Sequence, residues 1–277
     1  GPFKINKVET DKSGAATKYE LAPFKEFALG EPHLDKITFL FFPNETTLVD
    51  AWNTGRIESF AGASPSELSH LNDPEAHILR APLPRVFGVF FNQGHAPILA
   101  DAAVREALEV AIDKQSLVNS ILLGYGAVLD GPIPPGVLSK GAESVATQSD
   151  IFAGTERARV ILERGGWEYD EEIGEWKKKE ARLSFALSTS DAPELSATAE
   201  ALANYWRAVG IHVDVHVYPI SDLNTSIIRP RTYDAILFGE VVGRTLDLFA
   251  FWHSSQRNDP GLNLALYTNV RTDTLLA

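Results

Sequence analysis

Between residues 101 and 122 apolar side chains recur at helical spacing, with Val104, Leu108, Ala111 and Ile112 on one side and Arg105 and Glu109 on the other. Such a stripe predicts an amphipathic helix with one buried face. Asp101 stands where a side chain can cap the first turn, and Gly124 and Gly126 stop the helix. A second helical stripe, with Ala158, Ile161 and Leu162, runs into Gly165 and Gly166. Trp167 and Trp176 then flank an acidic turn containing Gly174, which predicts a hairpin. From Arg182 the period changes to two, and Leu183, Phe185 and Leu187 share one side of a strand. A further helix delivers Gly210 and then the alternating run IHVDVHV.

The first 85 residues follow a different pattern. Strands are predicted over residues 3–8, 18–21 and 37–42, a helix over 45–53, an extended piece over 57–60 and a helix over 65–71. A strand-helix-strand order suits an α/β lobe. The apolar, extended run 86–92 separates this pattern from the next, so the expected domains are residues 1–88 and 89–277, with the chain crossing between lobes there. No internal repeat or low-complexity tract interrupts either part.

Composition narrows the function classes. A chain of 277 residues with 44% hydrophobic and 22% charged residues is long enough for two lobes or one large domain and has a globular balance. No apolar run approaches the ~20 residues of a membrane span. A net charge of −12 opposes nucleic-acid binding. The absence of Cys removes disulfides, thiolate catalysis and cysteine-ligated zinc.

Several clusters invite chemistry. Alternation places His212, Asp214 and His216 on one strand face, but the two histidines stand roughly 13 Å apart, too far to share one ion. A polar solvent face is the expectation, with no metal. His253, Ser254 and Ser255 lie near Asp259, yet no G-x-S-x-G elbow precedes a helix, so no catalytic residues are assigned. The acidic run EYDEEIGEW lacks the spacing of a calcium loop, and GYG and GPIPPG are turns, since no Lys-Ser/Thr follows them. No cofactor is expected.

Four blocks together resemble one family. Pro97, Leu99, Asp101, Val104, Arg105, Ala107, Leu108, Ala111, Ile112, Asp113 and Lys114 keep the order of the P-x-L-x-D-x-x-V-R-x-A-L-x-x-A-I-D-K pattern that follows an FN segment, except that Ala100 is inserted before Asp101. The segments ERARVILERGGW with GEW, YWRAVGIHV, and YDAILFGEVVGRTLD with NLALYTNVRTDTLL follow in the family's order. The chain thus resembles the family 5 extracellular solute-binding proteins of peptide-type ABC importers. That resemblance implies an α/β, periplasmic binding protein-like (type II) two-lobed fold, incomplete at both ends of this chain, which would be an internal piece. It also implies an extracytoplasmic, monomeric, non-enzymatic protein that captures a small solute, a peptide or similar, between lobes and delivers it to permease subunits. Ligand contacts would fall at Asn92 and Gln93 of the FN segment and at Leu237, Gly239, Glu240, Val241, Val242, Gly243 and Arg244. The family's amine-binding aspartate has no counterpart near Val242 or Gly243, and Glu240 is the expected substitute, with Arg244 its competing partner. A sensing module of a transcription regulator and, further off, a hydrolase are the alternatives.

Overall fold

The computed structural model describes residues 1–79, 85–129, 131–132, 151–241 and 248–277, with residues 151 and 152 as backbone only. It divides into two compact units, Gly1–Arg80 and Ala81–Ala277.

In the first unit, β1 (Phe3–Thr10) and β2 (Ala16–Pro23) form an antiparallel hairpin, and β3 (Ile37–Leu40) pairs antiparallel with β2. The hairpin closes because the Asp11 carboxylate accepts from the Ser13 and Ala15 amides at 2.8 and 3.0 Å, while Gly14 takes a left-handed φ of 86°. Helix α1 (Glu45–Asn53) starts where the Asn44 side chain accepts from the Thr47 amide, and it buries Val49 and Ala51. A second short helix, α2, spans Pro65–Leu68. The expected strand-helix-strand order is corrected here, because residues 57–60 form no strand. Phe60 instead packs edge-on against Trp52 at 5.5 Å, and the Ser64 amide donates to Glu45, which folds this stretch back on α1.

In the second unit, β4 (Arg85–Phe91), β8 (Ser184–Ser190), β9 (His212–Tyr218) and β10 (Ala235–Val241) form a sheet in the order β4-β10-β8-β9. Strands β8, β9 and β10 are parallel, and β4 runs antiparallel to β10 from Phe91 opposite Ala235 to Arg85 opposite Val241. Residues 86–92, expected as the crossing between lobes, lie within the second unit. That run is apolar because it is a strand of the second unit's sheet, and the division between units lies before it.

Helices α3 (Ala102–Val110), α5 (Ile151–Arg164) and α6 (Pro193–Val209) supply the main core, in which Val104, Leu108, Leu162 and Trp206 meet Phe185, Leu187, Val213 and Leu237. The two buried indoles spend their N–H groups on backbone carbonyls, Trp206 on Leu108 at 2.8 Å and Trp176 on Val209 at 3.0 Å. The single helix expected over 101–122 is broken. Asp101 caps α3 as expected, but Asp113 turns its carboxylate to the Ser116 amide and hydroxyl, ending one helix and capping α4 (Lys114–Ser120). A hairpin of β5 (Glu168–Asp170) and β6 (Glu175–Lys178), extended by β7 (Ala181–Arg182), carries the acidic turn. Lys177 pairs with Asp170 at 2.8 Å there.

Gly210 ends α6 with φ 102°, and a Cβ there would lie 2.5 Å from the Tyr169 ring and 3.3 Å from the Trp176 nitrogen. Gly210→Ala is expected to lower the unfolding free energy by about 1–3 kcal/mol through left-handed strain and overlap. Urea titration reads this directly, and an unchanged midpoint would contradict it.

Candidate functional site

Parallel strands in an open α/β sheet leave a crevice outside their carboxyl ends, where ligands bind. In this sheet that edge holds Ser190 of β8, Tyr218 of β9 and Glu240 and Val241 of β10, with Arg85 and Val86 of β4 alongside. It is unusually polar for its burial, since Ser188, Thr189, Ser190 and Glu240 are all buried. Most of these groups are used internally. The Thr189 hydroxyl donates to the Leu237 carbonyl at 3.0 Å, the Ser190 hydroxyl accepts from the Ala192 amide at 3.4 Å, and the Asp191 amide donates to the Tyr218 carbonyl at 2.9 Å.

Glu240 is different. Alternation along β10 puts Ala235 and Leu237 toward the main core, and Ile236, Phe238 and Glu240 toward a smaller cluster with Phe90, Leu223, Ile228, Tyr233 and Leu264. The Glu240 side of β10 is lined by β4 residues of the same parity, with Val86 directly opposite. Only 8% of Glu240 is exposed, and its Oε1 has no hydrogen-bond partner among the described residues. Burial pushes its carboxyl up to about 8, because a carboxylate there forfeits hydration without gaining a donor. Burial also pushes the nearby Tyr233 phenol up to about 12, its O–H donating to the Leu264 carbonyl at 2.6 Å. A buried acid with an oxygen unpartnered among the described residues, at the carboxyl edge of a sheet, has the chemistry of a site that takes a donor.

The other expected contacts separate into groups. Asn92 and Gln93 lie at the opposite edge of the sheet, six residues along β4 from the partner of Glu240, a separation of about 20 Å. The Asn92 side chain is buried and fully engaged, donating to the Arg231 carbonyl at 2.9 Å and accepting from the Gly94 and His95 amides. It is a structural pin. Gln93 is exposed. Leu237 is a core side chain rather than a cleft wall. Gly239 is bare for a reason other than ligand approach, since a Cβ there would lie 2.6 Å from the Phe87 ring. Val241 is exposed beside Glu240. Val242, Gly243 and Arg244, with Asp247, lie outside the described residues, as does most of the GPIPPG loop.

The remaining chemical clusters are local. His212 lies 3.4 Å from Asp214 and 3.8 Å from Glu175, while His216 packs edge-on against Tyr218. Among the described residues no group of three His, Asp or Glu side chains is placed to hold a metal ion. His253 caps a helical turn, its Nδ1 meeting the Ser255 amide at 3.1 Å and hydroxyl at 2.8 Å. Sequence reasoning missed Ser190 and Tyr218 as edge residues. Their signal was the end of each alternating run, which becomes meaningful only once the parallel register is known.

Residues 1–261 match the family model of the bacterial extracellular solute-binding proteins, family 5 Middle. The oligopeptide-binding protein AppA of Bacillus subtilis is 25% identical over 279 residues, covering 100% of this chain and 50% of its own length. The nickel-binding protein NikA of Staphylococcus aureus is 22% identical over 278 residues, covering 100% of this chain and 52% of its own. The structure of Bacillus subtilis AppA in complex with a nonapeptide superimposes with a TM-score of 0.72 at 23% identity, over 100% of this chain and 53% of that one. The fold is thus that of the type II periplasmic binding proteins, and the chain spans about half the length of the curated relatives it matches. With a family match over nearly its whole length, the chain belongs to the bacterial extracellular solute-binding proteins of family 5.

Proposed function

We propose that this chain is part of the substrate-binding component of an ABC importer, capturing a cationic solute of the peptide class and delivering it to membrane permease subunits. The observation that carries the reading is Glu240, a buried acid whose Oε1 has no partner among the described residues, at the carboxyl edge of a sheet whose fold and family are those of solute-binding proteins. Its pKa of about 8 leaves it mostly protonated at neutral pH. A ligand ammonium arriving there supplies the missing donor, and the carboxyl ionises as the pair forms. Val241, with Val242, Gly243 and Arg244 after it in the sequence, completes the proposed contact set, whereas Asn92, Gln93, Leu237 and Gly239 serve the fold or face elsewhere.

In this reading Gly1–Arg80 contributes to the base lobe and Ala81–Ala277 to the lid. Ligand acts by differential affinity, since only interactions made in the closed state and missing from the open one shift the equilibrium between them. The protein works outside the cytoplasm as a monomer and a binder, without catalysis. Its acidity supports the absence of nucleic-acid partners. The relatives named above are binding proteins by description, and none is a regulator or a hydrolase.

The intact protein, purified without denaturation and opened by unfolding in organic solvent, is expected to release a small basic compound in near-stoichiometric amount by mass spectrometry. Recovery of only acidic or neutral solutes would overturn the charge assignment. Turnover of a peptide by the purified protein would overturn the reading as a binder.

A further inference from the structure

The amino edge of the same sheet carries a cavity of about 580 Å³ whose lining includes Gln93, Gly94, Arg105, Arg257, Asn258 and Tyr267. It lies at the Asn92 end of β4, about 20 Å from the Glu240 end, so it is separate from the proposed solute site.

Its walls are held with unusual care. Arg231, itself in a left-handed conformation, donates to the carbonyls of Arg257 at 2.9 Å, Ile228 at 2.6 Å and Gly261 at 2.6 Å. Its own carbonyl accepts from the Asn92 side chain, whose oxygen in turn receives the Gly94 and His95 amides. One arginine therefore ties the loop bearing Gln93 and Gly94 to the loop bearing Arg257 and Asn258. Asn263, fully buried, closes the second loop by donating to the Tyr267 carbonyl at 3.0 Å and accepting from the Tyr267 amide at 3.1 Å.

The two guanidinium groups that face this cavity are used differently from Arg231. Arg105 makes one bond, to the Leu99 carbonyl at 2.8 Å, and Arg257 makes one, to the Ser254 carbonyl at 3.0 Å. Neither takes part in an ion pair among the described residues, and no carboxylate lines the cavity. Asp273 lies close enough to Arg257 to feel its charge, but its carboxylate is engaged by the Ser254 amide at 3.0 Å. His95 is turned away, its Nδ1 bonded to Asp234 at 2.8 Å, and the other Asp234 oxygen accepts from the Ala186 amide at 2.9 Å. In a chain of net charge −12, two cations that line one braced cavity without a direct ion pair among the described residues need an account. Arginine forks match oxyanions geometrically, and the Asn258 amide adds a neutral group that can donate to one, while the Tyr267 hydroxyl is shared with Thr272 at 3.2 Å.

We propose that this cavity is an anion-binding site, taking a small oxyanion of the phosphate class between Arg105 and Arg257. The site is independent of solute capture and sits at the opposite edge of the sheet from it. The anion is either free inorganic phosphate or a phosphate monoester on a small organic molecule.

The intact protein is titrated with inorganic phosphate and, in a second arm, glycerol phosphate, at ionic strength held constant with chloride. The arginine Nε–H resonances and the heat of binding are recorded together. Saturable binding is expected that shifts the Arg105 and Arg257 resonances and weakens at least tenfold in Arg257→Gln, with melting temperature retained because Arg257 is exposed. Arg105→Gln is expected to act likewise, and Glu240→Gln to leave phosphate affinity unchanged. Tighter binding in one arm identifies the source of the phosphate within the proposal. No saturable response in either arm, or equal affinity in wild type and the Arg105→Gln, Arg257→Gln double variant, overturns it.

Discussion

Asn92→Ala is expected to lower the unfolding free energy by about 2–4 kcal/mol while changing solute affinity by less than about twofold. The side chain makes three hydrogen bonds inside a buried site, and alanine leaves the Arg231 carbonyl and the Gly94 and His95 amides with fewer partners. Each buried group so orphaned costs roughly 1–3 kcal/mol, and partial access of water to the exposed Gly94 and His95 limits the sum. Gln93→Ala, next door and exposed, is expected to stay within about 0.5 kcal/mol of wild type. Chemical denaturation with parallel ligand titration checks both. A large loss of affinity in Asn92→Ala at unchanged stability would place this residue in the site after all and contradict the sheet-edge assignment.

Glu240→Gln is expected to change the pH dependence of stability more than stability at any one pH. A free glutamate titrates near 4.5, and burial raises this one to about 8. Below pH 4.5 the carboxyl is protonated folded and unfolded, so it contributes no penalty. Between 4.5 and 8 the unfolded chain releases a proton that the folded chain keeps, and stability falls steadily as pH rises. Above 8 the folded carboxyl is ionised too and the loss is complete. At 1.36 kcal/mol per unit of pKa, the whole effect is on the order of a few kcal/mol. The glutamine variant lacks this slope, so it is expected to match wild type near pH 4.5 and exceed it by about 2–4 kcal/mol at pH 8.5. Its affinity for a cationic solute is expected to fall about tenfold or more, the value of one charge-assisted bond. Stability curves that run parallel across this range would show that Glu240 is already compensated.

Much of the fold was legible in the sequence where one local signal decided the outcome. Residues 45–53 form a helix because Asn44 caps it and Thr54 and Gly55 follow, with no tertiary help needed to find its ends. Asp101 capped α3 as its position implied, yet the same residue type at Asp113 broke the helix that periodicity alone carried through to 122. Capping and periodicity compete there, and only the bonds to Ser116 show which prevails. The apolar run at 86–92 could equally be a connection or a strand. Its pairing with β10, about 150 residues later in the chain, was invisible locally.

The candidate site was legible in identity more than in geometry. Glu240 could be picked from the strand, but not its burial, which depends on Val86 opposite and the smaller cluster behind. Asn92 and Glu240 were expected to act together because both fall on segments shared with the family. The antiparallel register places them at opposite edges of one sheet instead. Gly239 is an expected ligand contact in the sequence, whereas the Phe87 ring occupies the space beside it. Arg105 was read only as the wet side of a helix. That it lines one cavity with Arg257 is a fact of tertiary structure.

The most direct test is a crystal structure of the intact protein with the solute it carries from its native host. A ligand nitrogen is expected within hydrogen-bond distance of the Glu240 carboxylate, with β8, β9 and β10 presenting their carboxyl ends to it and no solute contact at Asn92. A ligand seated at the Asn92 edge, or one held at the carboxyl edge while Glu240 stays unpaired beneath it, would contradict the account.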